Sequence, residues 1–558
     1  MPSTPPIIDV SNAQLEEVLH RVEQSLDEKD VELIRAVFQA YLYVTDLVED
    51  KNTSLRRLRQ LLFGARTEKT DAVVGQPTDR PEAMMPKGAA TGTESSDREA
   101  ATEASGVAGQ PPAGPGHGRN GADAYRGAER VTIPHPSLAA GDACPACGQG
   151  TVYEKAPGVL VRITGQPPLT ATIYHLQKLR CHLCGQVFTA PTPAGAGSAK
   201  YDATAGSMIG LLKYGSGLPF NRLEGLQGYL EIPLPASTQW DIVQAVAASL
   251  TSAFDELIRQ AAQGDVLHND DTTVKILELM GQRGRPEVLA GVEDETDGRT
   301  GLFTSGVVAL RDGHRVALFF SGRRHAGENL AEVLKKRVAE LPPPIQMCDA
   351  LSRNLPGELQ TILAHCLAHA RRNFVDIYDR FPEPSRHLLE TLAVVYRNDA
   401  SARERRLSPE ARLQWHQQES GPTMQQLHEW LTRQLEERLV EPNSALGGAI
   451  RYMLRHWEPL TLFLRQAGAP LDNNVCERAL KKAILHRKNA LFYRTRKGAL
   501  VGDLFMSLIY TCQLNEVNPF DYLTVLQRHA EPVAAHPERW LPWNYRATLP
   551  EAGRVPTP

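Results

Sequence analysis

The stretch LDNNVCERALKKAILHRKNALFYRTRK, residues 471–497, sets one acid in a helical first turn among many cations. Asp472, Asn473 and Asn474 are short polar residues that open helices by satisfying orphan amides. Val475, Ala479, Leu480, Ala483 and Ile484 then recur at helical spacing, so a helix is expected over about 475–486. Glu477 is the acid, and Arg478, Lys481, Lys482, Arg487, Lys488, Arg494, Arg496 and Lys497 surround it. A carboxylate that holds a metal ion while a polyanion backbone lies alongside needs this arrangement, and it needs further acids upstream. Charge alone is met equally by a solvated basic helix with one internal ion pair.

Two strand-like runs end in such acids. VLHNDDTT at 266–273 follows the Gly264 break and delivers Asp270, with Asp271 as its competitor. If Asp270 shares a face with Val266 and His268, only one of the two can reach an ion. PIQMCD at 344–349 delivers Asp349. Between them, strands are expected at 274–280, 306–310 and 316–320, and a helix at 328–340. Strands, a helix, then a strand ending in a second acid is the order of an RNase H-like α/β domain, whose third acid rides on a later helix. Glu477 supplies it. Three carboxylates suffice for two Mg²⁺ (or Mn²⁺) ions about 3.5–4 Å apart, and hard oxygen donors favour these metals over zinc. Each acid taken singly is also a common solvated turn former.

Four of the eight cysteines form tight pairs, Cys144/Cys147 and Cys181/Cys184, each followed by glycine. Strand-like runs at 158–163 and 171–176 lie between them. Two such knuckles joined by β-structure read as a closed, structural four-thiolate Zn²⁺ ribbon, with a redox dithiol as the alternative and His182 as a bystander. Cys348, Cys366, Cys476 and Cys512 are scattered through apolar contexts, a distribution suited to a reducing cytosol.

The elements that must position these groups make a multidomain α+β protein. A chain of 558 residues accommodates roughly three to four domains. Lys plus Arg total 61 against 65 Asp plus Glu, a net charge of −4, so any nucleic-acid surface is local. No apolar run is long enough to span a bilayer and the N-terminus lacks an export pattern, so no membrane association is expected. Residues 1–69 carry a helical stripe (Leu15, Leu19, Val22, Leu26, then Ile34, Val37, Phe38 and Tyr41). This is a candidate for self-association or an ordinary helical subdomain. Residues 70–130, rich in Gly, Ala, Pro, Thr and Ser, read as a disordered linker. The ribbon occupies 131–198.

Residues 199–263 contain short helices broken at 215–219 and 233–235. A further helix follows towards 260, with Ser237 or Thr238 as its cap and Gln239 after them. This pattern fits a helix-turn-helix-like DNA-binding module, or equally a plain helical connector. The catalytic core then runs over 264–374 and 471–515, split by a helical insertion at 375–470 and followed by a C-terminal segment at 516–558.

The chain resembles the transposases of bacterial insertion sequence 66, the C-type transposition proteins. The resemblance runs nearly full length, through LLFGARTEK (61–69), the paired cysteines, GLPFNR (217–222), HNDDT (268–272), AHARRNF (368–374), DNNVCERAL (472–480) and WLPWN (540–544). The DNNxxER segment is the most specific. By this match Asp270, Asp349 and Glu477 correspond to a DDE triad. The family commonly has Glu after the first acid, where this chain has Asp271, and Gly-Tyr after the second, where it has Ala350 and Leu351.

The resemblance implies cleavage of the ends of the protein's own element, followed by attack of the freed 3′-hydroxyl on target DNA. It implies no covalent protein–DNA link. Arg478, Lys481, Lys482, Arg487, Lys488, Arg494 and Lys497 are expected to neutralise phosphates, and the 199–263 helices with Ser237, Thr238 and Gln239 to read the ends, with the zinc ribbon as a further candidate for that role. Pairing of two ends implies a homo-oligomer, and companion proteins of the element are candidate partners. The expected location is the bacterial cytoplasm, at the nucleoid when DNA is bound. His365 and His369, flanking Cys366, are read as structural or phosphate-contacting. The alternatives are a nuclease that cuts without strand transfer, or a non-catalytic DNA-binding protein of the same fold.

Overall fold

The computed structural model describes residues 132–143, 145–146, 151–153, 166–180, 182, 186–193, 196–197, 199–280 and 299–552. The helical 1–69 region, the linker, the run at 158–163 and all four paired cysteines lie outside these residues. The described residues fall into two compact units, one of 132–196 with 223–235 and one of 197–222 with 236–552.

In the smaller unit, β1 (Lys178–Arg180) and β2 (Val187–Thr189) pair antiparallel. Ala143 and Thr151 form a second antiparallel bridge. Each cysteine pair therefore falls, in sequence, between two paired strand residues. The expected strand at 171–176 joins no ladder among the described residues.

The larger unit is built on a five-stranded mixed sheet of order β5-β4-β3-β6-β7. Its strands are β3 (Val266–Thr273), β4 (Phe303–Arg311), β5 (His314–Gly322), β6 (Ile345–Cys348) and β7 (Ile362–His365). Strands β3, β4 and β5 form an antiparallel meander, whereas β6 and β7 run parallel to β3. Asp312 and Gly313, at φ 50° and 78°, close the two-residue β4–β5 hairpin in a conformation that suits the twist of the paired strands. The strand expected at 274–280 is instead a short helical turn, Leu277–Met280, because the chain leaves the sheet after Thr273.

Helices α1 (Ala203–Gly210), α2 (Phe220–Tyr229) and α3 (Ala236–Ala262) precede the sheet. Helix α3 spans 27 residues and buries Val243, Leu250, Ala253, Leu257 and Ala261 along one side. It begins at Ala236, ahead of the expected Ser237 or Thr238 cap, and packs on β5 and on the helix Arg496–Leu514. It is longer than a short recognition helix and packs along the sheet.

Helix α4 (Ala326–Leu334) is the crossover between β5 and β6, and α5 (Leu367–Val375) follows β7. The insertion comprises α6 (Pro382–Glu404), α7 (Pro409–Glu419), α8 (Gly421–Glu436) and α9 (Ala445–Arg455). It shares one core with the sheet: Ile345, Met347 and Ala364 pack with Leu388, Leu392, Leu427, Leu431, Ile450 and Met453. The insertion also holds a buried charge cluster. Burial alone would raise the Asp399 carboxyl, but His416, Arg412 and Arg403 hold it well below the usual carboxylate range.

Helix α10 (Asn474–Ala490) covers β3 and β4 on the same face as the insertion, and α11 (Arg496–Leu514) lies along β5. Strand β5 is an edge, which would leave a row of amides unpaired. Side chains of α11 take those amides in sequence. Ser321 N donates to Asp503 Oδ2 (2.6 Å), Phe319 N to Ser507 Oγ (3.0 Å), Ala317 N to Thr511 Oγ1 (3.0 Å) and Arg315 N to Asn515 Oδ1 (3.1 Å). The match is metric: four helical residues rise about 6.0 Å and two strand residues about 6.6 Å.

Candidate active site

Strand β3 sends alternate side chains to opposite faces, and different helices cover the two. On one face His268 Nδ1 lies 3.1 Å from Asn473 Oδ1, under α10. On the other, Asn269 Nδ2 donates to Asn354 O at 2.8 Å. Asp271 belongs to this second face. Its side chain is 2 % exposed, with Oδ2 2.9 Å from His325 Nδ1 and Oδ1 3.3 Å from Arg353 Nη2. Asp271 is thus already paired at the start of α4, while Asp270 lies on the His268 face, with Oδ1 accepting from Asp271 N at 2.8 Å.

The β3–β6 register pairs His268 with Met347. Continued two residues, it brings Asp270 beside Asp349, just past the end of β6. Asp349 Oδ1 accepts from Leu351 N at 3.2 Å and from Asn354 Nδ2. Asn354 O in turn accepts from Asn269 Nδ2 and Gln346 Nε2 at 2.8 and 2.7 Å. Neutral amides therefore hold the loop that follows the second acid. Both acids lie just beyond the stretch over which the parallel strands β3 and β6 pair, and the connections of these strands depart in opposite directions, the place where open sheets form ligand crevices.

Glu477 arrives on the first turn of α10, and Asn473 fixes where that turn sits. The expected cap is not what Asn473 provides, since its side chain makes no capping bond. It is fully buried, its Nδ2 donates to Asn269 O at 3.1 Å, and its backbone N–H points at Cys366 Sγ at 3.2 Å. Asp472 makes the local turn by accepting from Asn474 N at 3.1 Å. One residue, through its side chain and its backbone N–H, thereby joins β3, the end of β7 and the start of α10. Gly306, opposite Asp270 in β4, lets α10 lie close. A Cβ there would stand 3.1 Å from Leu480 Cδ2 and 3.4 Å from Cys476 Sγ.

Burial, first, raises the Asp270 carboxyl to about 7. The Asp271 amide opposes this, and the charges of Asp349, Asp271 and Glu477 add to it. Asp349 and Glu477 are thus both near enough to Asp270 for their charges to disfavour its ionised form. Glu477 Oε1 is buried without a hydrogen-bond partner, and so is His369 Nδ1, 3.8 Å away. The donor atoms of Cys366, His369 and Glu477 all lie within 4.8 Å of one another. Burial pushes the Cys366 thiol up to about 12, which leaves His369 as the available neighbour of Glu477. His369 and Asn473 are the site residues that sequence reasoning undervalued; the Cys366-x-x-His369 spacing at a strand-to-helix junction was the available signal. His365 is structural, edge-on to His456 at 5.1 Å.

Among the expected phosphate contacts, Arg478, Lys481, Lys488, Arg494 and Lys497 are exposed. Lys482 lies over the Tyr510 ring at 5.7 Å. Arg487 is committed elsewhere, donating to Thr273 O and to Thr273 Oγ1 at 2.6 Å, so it ties α10 to β3. Ser237 is exposed and Thr238 half-buried. Gln239 is buried and donates to Phe220 O at 3.0 Å, out of reach of a surface ligand.

The class defined so far is an α+β protein with a mixed five-stranded sheet, acids near its switch point, and a helix that carries exposed cations. The model of the Transposase IS66 family matches residues 200–500, more than half of the chain, and the chain belongs to that family. Its function is of the transposase type, and the family implies DNA as a partner. The chain is also similar to uncharacterized proteins of Sinorhizobium fredii (strain NBRC 101917 / NGR234). It is 27% identical to y4hP over 454 residues, covering 75% of each chain. It is 35% identical to y4jD over 189 residues, covering 33% of this chain and 36% of that one. Among the described residues no helix is long and apolar enough to cross a membrane.

Proposed function

We propose that the protein cleaves and joins the ends of its insertion sequence by two-metal-ion phosphodiester chemistry at Asp270, Asp349 and Glu477. The observation that carries this reading is the placement of Asp270, which the continued β3–β6 register sets beside Asp349, and whose β4 partner Gly306 lies against Cys476, the neighbour of Glu477 in α10. The sheet order, with three antiparallel strands followed by two parallel ones, is that of an RNase H-like domain and supports it. The donor set fits hard divalent cations: all three groups are carboxylates, and Glu477 Oε1 is a buried acceptor without a hydrogen-bond partner. Asp270, Asp349 and Glu477 would hold Mg²⁺ or Mn²⁺, which when bound supplies activation of the attacking oxygen and stabilisation of the leaving oxygen.

The protein's own groups do the positioning. Asn473 sets Glu477 against β3, Asn354 orients Asp349, and the pairing of Asp271 with His325 and Arg353 keeps it out of the crevice. Arg478, Lys481, Lys488, Arg494 and Lys497 neutralise the phosphates of element ends and target. A structural Zn²⁺ held by Cys144, Cys147, Cys181 and Cys184 is supported by the paired strand residues that bracket both cysteine pairs. Residues 1–69 remain the proposed oligomerisation segment, in a protein that works in the cytoplasm with or without companions.

The test is incubation of end-bearing DNA with Mg²⁺ and wild-type, Asp270→Asn or Glu477→Gln protein. Cleavage by wild type alone is expected, and equal cleavage by both variants would overturn the proposal. Joining of a pre-cleaved end to a plasmid separates a transposase from a nuclease that only cuts.

A further inference from the structure

Helix α10 ends in a strained turn. Leu491 sits at φ 67°, ψ −45°, and Phe492 N donates back to Ala490 O at 2.8 Å. That is the rare form of the γ-turn, which a leucine adopts only when its surroundings force it. The forcing is visible on both sides. Leu491 N is held by Arg487 O at 2.9 Å, and Arg487 is itself tied to Thr273. Beyond the turn, Tyr493 is buried and bridged to Ile276; its N–H donates to Lys275 O at 2.8 Å and its carbonyl accepts from Leu277 N at 2.9 Å.

The turn brings little packing in return. Leu491 is 62 % exposed and Phe492 44 % exposed. Lys488, Arg494 and Lys497, all exposed, stand around them in sequence. A rigidly presented aromatic amid cations matches the face of a nucleobase whose phosphates those cations hold; an apolar peptide would leave the cations unmatched. Fourteen residues of helix separate Leu491 from Glu477, about 21 Å, or roughly six nucleotides of backbone.

We infer that Leu491 and Phe492 form a stacking platform for an unpaired base of bound DNA, a few nucleotides from the reacting phosphate. The inference rests on the DNA-processing function proposed above. Such a platform distinguishes frayed or single-stranded DNA near an end from continuous duplex.

Full-length protein is titrated, by fluorescence anisotropy, with a labelled oligothymidine of about 20 nucleotides and with a mixed-sequence duplex of about 20 base pairs. Phe492→Ala is expected to weaken oligothymidine binding about five- to a hundredfold, with duplex binding changed less than about twofold. Phe492→Trp, which keeps a ring, should restore it. Lys488→Ala with Arg494→Ala should weaken both probes and lower the salt dependence. Oligothymidine binding insensitive to Phe492→Ala, or weakened no more than duplex binding, overturns the platform and leaves the cleavage chemistry standing. Failure of the tryptophan variant to restore binding also overturns it. If wild-type protein binds neither probe, the platform and the DNA-processing reading fall together.

Discussion

The Asn473 amide spans the gap between two acid-bearing elements, with Oδ1 3.1 Å from His268 Nδ1 and Nδ2 3.1 Å from Asn269 O. Asp270 follows directly on the strand it grips, and Glu477 lies one turn along the helix it begins. Asn473→Ala removes both bonds inside a dry site. It should lower unfolding free energy by about 1–3 kcal/mol, the cost of orphaning a buried polar group, as read by urea denaturation. At a temperature where the variant stays folded, end cleavage should still fall sharply. Full activity in a folded variant would show that this clamp does not set the acid geometry.

Neighbouring acids should respond with opposite signs. Asp270 is crowded by burial and like charge, so Asp270→Asn should raise the thermal midpoint of metal-free protein while abolishing cleavage and any stabilisation by Mg²⁺. Asp271 is paired with His325 and Arg353. Asp271→Asn should therefore lower stability by about 1–3 kcal/mol and retain the response to Mg²⁺. Thermal denaturation with and without Mg²⁺ separates the two, and identical behaviour would refute the assignment of faces on β3.

The side-chain ladder on α11 predicts stability effects far from the crevice. Ser507→Ala leaves the Phe319 amide without its 3.0 Å acceptor at a fully buried position. A loss of about 1–3 kcal/mol is expected, with faster hydrogen exchange at Phe319 N–H. An unchanged exchange rate would mean that the β5 edge is protected by something other than this ladder.

His486 provides a pH test. It stacks on Tyr493 at 4.8 Å and lies 5.8 Å from Tyr214, with Nε2 buried and unpartnered. Burial, with a smaller contribution from Lys213, lowers it from 6.5 to about 3. The unfolded chain takes up a proton below about pH 6.5 that the folded state refuses. The stabilisation is therefore complete above that pH and is lost as pH falls, by up to about 1.4 kcal/mol per unit. His486→Phe keeps the stack and removes the proton. Relative to wild type, its unfolding free energy should rise steadily between pH 6.5 and 4; parallel pH profiles would exclude the effect.

Much of the sheet was legible because burial imposes a local pattern. The runs around 306–310, 316–320 and 344–349 became β4, β5 and β6, with Asp349 one residue past its strand. The 274–280 run misled because apolar residues in a short stretch fit a strand or a helical turn alike, and the chain's exit after Thr273 decided between them. Gln239 looked available because Ser-Thr-Gln is a polar string, yet α3 begins early enough to rotate its third residue inward. The cationic character of 478–497 was plain in the residues, but not that Arg487 is consumed in holding Thr273.

From its residues alone, this chain declares its family, its three candidate carboxylates and its two thiol pairs, because those depend on side-chain identity and on order along the polymer. The match to the family names Asp270, but which of Asp270 and Asp271 lies on the face under α10 was beyond the strand pattern alone. A period of two assigns adjacent residues to opposite faces but does not say which face a helix some 200 residues later will cover. That choice rests on Asn473 meeting His268 and on His325 meeting Asp271. Both contacts come into being only when distant segments close on the same strand.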